Sequence, residues 1–243
     1  MKNFVPRVSL ITSVFKGEQF IKEFFVDITR QTIFSDCQLV LVAPELADDA
    51  PERAAIDIYT SKYENIKFIE LESDPGIYEC WNIGIRASSS RYITNANLDD
   101  RKHPCFLERL WLELETHQDV DLVYAPCLMT TTPNESFEFN SSRNIYPCYE
   151  FDGVRGLLKH NSPHCNPMWR RSLHEEYGFF DKEFRSAGDH EMWLRAVSQG
   201  SIFKQVKQPL SLYYFNPKGI STNPEHNVWK AEEERLVREK YIQ

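Results

Sequence analysis

Between residues 8 and 97, short β-rich runs alternate with segments whose apolar residues recur every three or four positions. Val8–Phe15 (VSLITSVF) reads as a buried strand. Glu18–Thr32 follows as an amphipathic helix, with Phe20, Ile21, Phe24, Phe25 and Ile28 on one face. Cys37–Pro44 is a second strand stopped by its proline, Ala50–Tyr63 a second helix, Asn65–Glu72 a third strand, Gly76–Ser88 a third helix and Arg91–Asn97 a fourth strand. Strands separated by helices pair in parallel, so the alternation predicts an α/β fold with a Rossmann-like, mostly parallel central sheet flanked by helices.

The second half has another texture. A helix over Cys105–His117 leads to a strand over Val120–Met129, and then Thr130–Phe151 is polar, punctuated by proline and loop-like. A helix over Gly188–Gly200, a strand-like Ser211–Phe215 and a highly charged helix over Glu225–Tyr241 complete the chain. With no internal repeat and no low-complexity linker, its 243 residues read as one domain.

Charge and cysteine usage remove several classes of function. A formal charge of −8 argues against a nucleic-acid partner, which requires a basic footprint. The six cysteines include no CxxC pair and no zinc-type cadence, so they read as reduced, non-catalytic thiols of a cytoplasmic protein. No apolar run reaches the roughly 18 residues of a membrane span, and Met1–Leu10 lacks a leader's hydrophobic region; any contact with a membrane is expected to be peripheral, at its inner face.

The stretch RYITNANLDDRKHP, Arg91–Pro104, marks the expected site. Open α/β sheets bind ligands at the carboxyl ends of their strands, and the fourth strand ends in Asn97-Leu98-Asp99-Asp100. The chain has only 9 glycines and neither a GxGxxG nor a GxxxxGK[ST] loop, so a backbone cradle for phosphates is not expected. A divalent cation on Asp99, with Asp100 nearby, supplies the missing positive charge and turns an acidic cluster into a diphosphate site. Asp pairs at strand ends also serve as turn formers and helix caps, and the spacing alone does not separate these readings.

Three segments in order carry a family resemblance: Val8–Thr32, Asp74–Asp100 (DPGIYECWNIGIRASSSRYITNANLDD) and Gly178–Ala196 (GFFDKEFRSAGDHEMWLRA). The chain resembles the family 2 glycosyltransferases, inverting enzymes with the A-type glycosyltransferase fold, over about residues 7–215. The resemblance implies a nucleotide-sugar-binding half to about residue 104 and an acceptor-binding half from about 105 to the C-terminus. It implies a nucleotide-sugar donor, with a UDP-sugar expected, a glycan or lipid-linked glycan acceptor, a surface-polysaccharide role, and Mn²⁺ or Mg²⁺ as cofactor.

The resemblance also implies roles for individual residues. Ser13, Val14, Phe15 and Glu18 line the nucleobase pocket. The family's uracil-contacting Asp is replaced here by Val42-Ala43-Pro44-Glu45. Asn97 stands in place of the first Asp of the Asp-X-Asp motif and faces ribose, Asp99 holds the metal, and Asp100 lies near the donor sugar. Asn82 and Arg86, one turn apart, face the ribose and diphosphate. Asp189, opening a helix after Gly188, is the general base, because a helix N-terminus favours the ionised carboxylate. Glu191 supports it or is exposed, Arg195 is a structural or phosphate-facing partner, Trp193 is core, His164 touches acceptor or packs, and His226 is a second candidate metal ligand.

Two other readings stand beside this one. A nucleotidyltransferase also uses carboxylate-bound Mg²⁺ on an α/β sheet, but TSVFKGEQF has only one Gly and one Lys where that class carries a basic, Gly-rich loop. A non-catalytic nucleotide- or glycan-binding relative is suggested by Asn97 and the altered end of the second strand.

Overall fold

A computed structural model describes residues 4–242. The leader reading of Met1–Leu10 therefore lies partly outside the described residues. The first half follows the predicted alternation: β1 (Val8–Ser13), α1 (Ile21–Thr29), β2 (Gln38–Pro44), α2 (Pro51–Lys62), β3 (Ile66–Leu71), α3 (Ile77–Ala87) and β4 (Tyr92–Asn95). β1 pairs in parallel with β2 and β4, and β2 with β3. The periodic face of α1 is the one that packs, with Ile21, Phe24, Phe25 and Ile28 at most 1% exposed. Each such side chain contributes about 1.5–3 kcal/mol by leaving water.

Next come β5 (Arg101–Lys102), α4 (Phe106–Thr116), β6 (Leu122–Tyr124), β7 (Cys127–Thr130), β8 (Asn144–Ile145), α5 (Gly153–Leu157), β9 (Met168–Arg170), α6 (Ser172–Tyr177), α7 (Gly188–Ser198), β10 (Phe203–Gln205), β11 (Ser211–Tyr214) and α8 (Asn227–Tyr241). The main sheet has seven strands in the order β10-β6-β9-β4-β1-β2-β3. β9 runs antiparallel to both its neighbours, while the remaining pairs are parallel. A second sheet has the order β5-β11-β7-β8.

The strand expected over Val120–Met129 is two strands in two sheets. Leu122–Tyr124 stays in the main sheet, the chain leaves at Ala125-Pro126, and Cys127–Thr130 pairs with β11 and β8. Pro126 has no N–H to donate, so a ladder cannot run through it. The stretch Thr130–Phe151 is mostly loop, as its composition suggested, but two of its residues form β8 on the edge of the second sheet.

Two apolar layers hold the main sheet. One packs α1, α2 and α4 against it around Phe24, Phe25, Leu39, Leu41, Phe106 and Leu110; the other packs α3 and α7 around Trp81, Trp169, Phe180 and Trp193. Trp193 is a core residue, 1% exposed, and its ring meets those of Trp169 and Phe180 at steep angles, the geometry aromatic quadrupoles favour.

Candidate active site

The loop after β1 lies against the turn after β4. The N–H of Val14 donates to Val42 O at 2.8 Å, which continues the β1–β2 ladder, and the Val14 side chain is core. Gly17 closes the loop: a Cβ there would stand 2.3 Å from Cδ1 of buried Leu98, and its N–H donates to Oε1 of Glu52 at 2.8 Å. Only glycine permits this approach between the loop and the Asn97–Asp100 turn. Phe15 is 40% exposed under the Lys16 ammonium, Glu18 is exposed, and Ser13 is half-buried at the end of β1.

At the end of β4 the Asn95 amide donates to Cys165 O at 3.0 Å, fixing the strand to the segment before β9. Asn97 Nδ2 donates to Asp100 Oδ2 at 3.0 Å, and the Tyr214 N–H donates to Asp100 Oδ1 at 3.2 Å. Asp99 accepts through Oδ2 from the Asn216 amide at 3.1 Å. Burial, reinforced by the charge of Asp99, pushes the Asp100 carboxyl up to about 7 against the pull of Lys102. Burial raises Asp99 as well. Two crowded, desolvated carboxylates, only partly offset by the charges of Arg101 and Lys102, suit a hard cation with oxygen ligands. Asp99 has the freer oxygen, while Asp100 is held on both sides; the pair fits a Mn²⁺ or Mg²⁺ that takes its remaining ligands from phosphate and water.

Across the cleft, Asp189 is the second residue of α7. Asn161 Nδ2 donates to its Oδ2 at 3.0 Å, and the Tyr78 hydroxyl lies 3.1 Å from its Oδ1 and 2.7 Å from Ser186 O. Gly188 lets the Tyr78 ring approach, since a Cβ there would stand 2.7 Å from it. Burial and the neighbouring carboxylate raise the Tyr78 phenol well above its usual value, so it acts as a neutral donor. Asp189 is thus oriented by neutral groups and is half-buried rather than sealed.

Tyr146, His164 and Tyr213 stand between the two carboxylate sites, with ring centroids 5.0–5.6 Å apart. His164 is held below its usual value by burial, opposed by the charge of Asp189. Tyr213 is raised by burial and by the charge of Asp100. The triad therefore feels both ends of the cleft.

Several residues expected at the site have other work. Asn82 is 2% exposed: its amide donates to Phe180 O and Glu79 Oε2 and accepts from Phe180 N, which uses its capacity on the protein itself. Arg86 pairs with Glu79 at 2.9 Å over the Phe179 ring and lies about 13 Å along the axis from the α3 N-terminus that faces the strand ends. Glu191 is neither exposed nor beside Asp189: it is fully buried, and accepts from Arg195, Lys240 and the Tyr241 hydroxyl at 2.6–2.8 Å. Those bonds hold its carboxyl below the usual range despite burial. Arg195 spends its guanidinium on Tyr177 O, Phe179 O and Glu191, so it does not face phosphate. The His226 ring sits on Ile220 O and Trp229, and among the described residues no three His, Cys, Asp or Glu side chains form a metal cage.

Tyr78, Asn161, Tyr213 and Asn216 were not singled out from sequence. Their roles depend on contacts spanning 28–117 positions, and the one local signal is Tyr78 in the GIYECWN run that opens α3. All six cysteines are free, and Cys37, Cys80, Cys127 and Cys165 are buried. No helix among the described residues is long and apolar enough to cross a membrane.

The profile "Glycosyl transferase family 2" matches residues 9–178. The uncharacterized glycosyltransferase EpsJ of Bacillus subtilis is 26% identical over 235 residues, 90% of this chain; the chain spans 64% of that relative's length. Among solved structures, S. aureus TarS 1-349 in complex with UDP-GlcNAc superposes with a TM-score of 0.71 at 16% identity, covering 88% of this chain and 59% of that one. The mannosyltransferase PcManGT of Pyrobaculum calidifontis, in complex with GDP-Man and Mn²⁺, gives 0.64 at 14% identity, covering 98% of this chain and 62% of that one. Those two likenesses concern the fold, which is the A-type α/β arrangement the resemblance implied. The profile, spanning well over half the sequence, shows that the chain belongs to glycosyl transferase family 2.

Proposed function

We propose that the chain is a cation-dependent inverting glycosyltransferase that moves a sugar from a UDP-sugar to a hydroxyl of a glycan. The observation that carries this is the division of labour across the cleft: Asp99 and Asp100 desolvated at the end of β4, Asp189 half-buried and oriented at the start of α7, and three aromatic rings between. It acts as a donor half to about residue 104 and an acceptor half beyond, joined where Tyr214 and Asn216 grip Asp100 and Asp99.

Inversion is a single displacement. The acceptor oxygen bonds to the anomeric carbon while that carbon's bond to the diphosphate oxygen breaks, and the electron pair leaves with UDP. The hydroxyl proton passes to Asp189, whose ionised form the α7 N-terminus favours and whose oxygens Asn161 and Tyr78 aim. Mn²⁺ or Mg²⁺, held by Asp99 with Asp100 behind it, would neutralise charge on the departing diphosphate. Tyr146 and Tyr213 offer apolar ring surface against which sugar C–H faces pack while excluding water. Phe15 and the backbone of Val14 border the base, and Glu45, exposed just past β2 with φ +52, is the carboxylate nearest the position where the family's uracil-contacting Asp is replaced. A surface polysaccharide is the acceptor class we favour, and TarS, bound to UDP-GlcNAc, supports a UDP-linked donor.

The test is UDP release from UDP-GlcNAc, UDP-Glc and UDP-Gal with Mn²⁺. Asp189→Asn is expected to lower turnover by about 10²–10⁴-fold. UDP-dependent thermal stabilisation should persist in that variant. Intact turnover overturns the base, and absence of stabilisation by UDP, GDP or TDP in the wild type overturns the donor class.

A further inference from the structure

We infer that Glu233 of the C-terminal helix is a positioning residue for the base Asp189, acting as a clamp from another element on the loop that leads into the helix carrying it. This rests on the reading of Asp189 given above. α7 starts without a side-chain cap of its own: Ala187 occupies that position, and the first-turn N–H groups of a helix lack intrahelical partners. Glu233 instead holds the residues just ahead of the helix. Its Oε1 accepts from Arg185 N at 2.8 Å, and its Oε2 accepts from Ser186 N at 2.9 Å and Ala187 N at 3.1 Å. Three consecutive amides thus converge on one carboxylate two residues before Asp189.

The pattern along α8 singles this glutamate out. Glu232, Glu234 and Glu239 pair with Arg235 and Arg238 of the same helix, the solvated arrangement expected of a charged face. Glu233, Val237, Lys240 and Tyr241 fall at helical spacing on the other face. Val237 is fully buried, and Lys240 and Tyr241 both reach buried Glu191, one turn into α7. Arg185 adds its guanidinium 5.7 Å from the Trp229 ring. α8 therefore grips the base helix at its start and again at Glu191.

The Tyr78 hydroxyl also meets this segment, its single proton shared between Ser186 O at 2.7 Å and Asp189 Oδ1 at 3.1 Å. With Glu233 gone, three N–H groups lose their acceptor and the segment is less firmly placed. Misplacement of a reacting group by about 1 Å costs on the order of 10²-fold in rate. The effect falls on turnover, since nothing in the contact touches the Asp99 side of the cleft.

The experiment compares Glu233→Gln with Val237→Ala. Glutamine turns an NH₂ toward at least one of the three N–H donors and cannot accept all of them, whereas Val237→Ala loosens α8 without touching the loop. The expected result for Glu233→Gln is a fall in kcat for UDP release of roughly 10–100-fold. Its donor KM and UDP-induced thermal shift should stay within twofold of wild type, and amide exchange should quicken at residues 185–187. Val237→Ala should lose stability with kcat nearly unchanged. A Glu233→Gln kcat within twofold of wild type overturns the inference, as does an equal kcat loss in Val237→Ala at matched stability. If Asp189→Asn keeps full turnover, the base assignment falls and not the clamp. If the wild type releases no UDP, exchange decides: unchanged protection at 185–187 in Glu233→Gln overturns the clamp.

Discussion

The two sides of the cleft treat their carboxylates oppositely. Asp99 and Asp100 are crowded and desolvated, and their protonation is pushed upward, so the site is uncomfortable without added positive charge. Asp189 sits half-buried at a helix start with two neutral donors. On the proposed function one environment attracts a cation and the other accepts a proton, so the same side chain would serve two functions through its burial and partners.

Removing the cation side should have the largest effect. Asp99→Asn is expected to abolish the Mn²⁺-dependent part of UDP stabilisation, about 2.7 kcal/mol at a ligand concentration 100 times Kd. It should also lower UDP release by at least about 10²-fold. If Mn²⁺ raises the melting temperature equally in variant and wild type, the two sides do not differ as described.

A smaller effect separates the cleft from its scaffold. Asn82→Ala removes the amide that clamps Phe180 and leaves two buried backbone groups unpaired, at about 1–3 kcal/mol each. Denaturant unfolding should register the loss, while the affinity for UDP, measured by calorimetry, stays within twofold. Weakened nucleotide binding at unchanged stability would return Asn82 to the ribose side.

The smallest effect concerns pH. Asp27, accepting from Lys102 N beside Arg101 and Glu138, is pushed up to about 7 by burial, and Asp100 shares that value. Both carboxyls have ordinary values near 3.8 when unfolded, so the folded state binds the extra protons. Their contribution is present below about pH 4 and is lost as pH rises through 7. Asp27→Asn keeps an acceptor for Lys102 N and removes the titration; its melting temperature should fall less than that of wild type between pH 5 and pH 8. The change is expected to be on the order of 1 kcal/mol, after allowance for the lost attraction to Lys102 and Arg101. An identical pH slope in both proteins would show that Asp27 carries no such burden.

Legibility followed the range of the interactions. The β1-to-β4 alternation, the packed face of α1 and the placing of Asp189 at a helix start were readable, because strand and helix periods and caps are local patterns. Asn82 and Arg86 were legible as sharing a helix face but not as facing Glu79 and the residues around Phe180, since position along α3 relative to the strand ends is a tertiary quantity. Glu191 was read as supporting Asp189 or exposed, and its burial against Lys240 and Tyr241, 49 and 50 positions away, left no local trace.

The sequence by itself determined the parallel core, the strand end where two carboxylates meet, and the family motifs in their order, because short-range patterns and side-chain chemistry carry all three. Only the tertiary structure decided that β9 enters the sheet antiparallel, that Asn216 and Tyr214 grip Asp99 and Asp100, and that Glu233 meets three amides ahead of Asp189. Hydrogen bonds are directional over about 3 Å, so partners remote in sequence are chosen by how packed elements happen to align and leave no periodic trace along the chain.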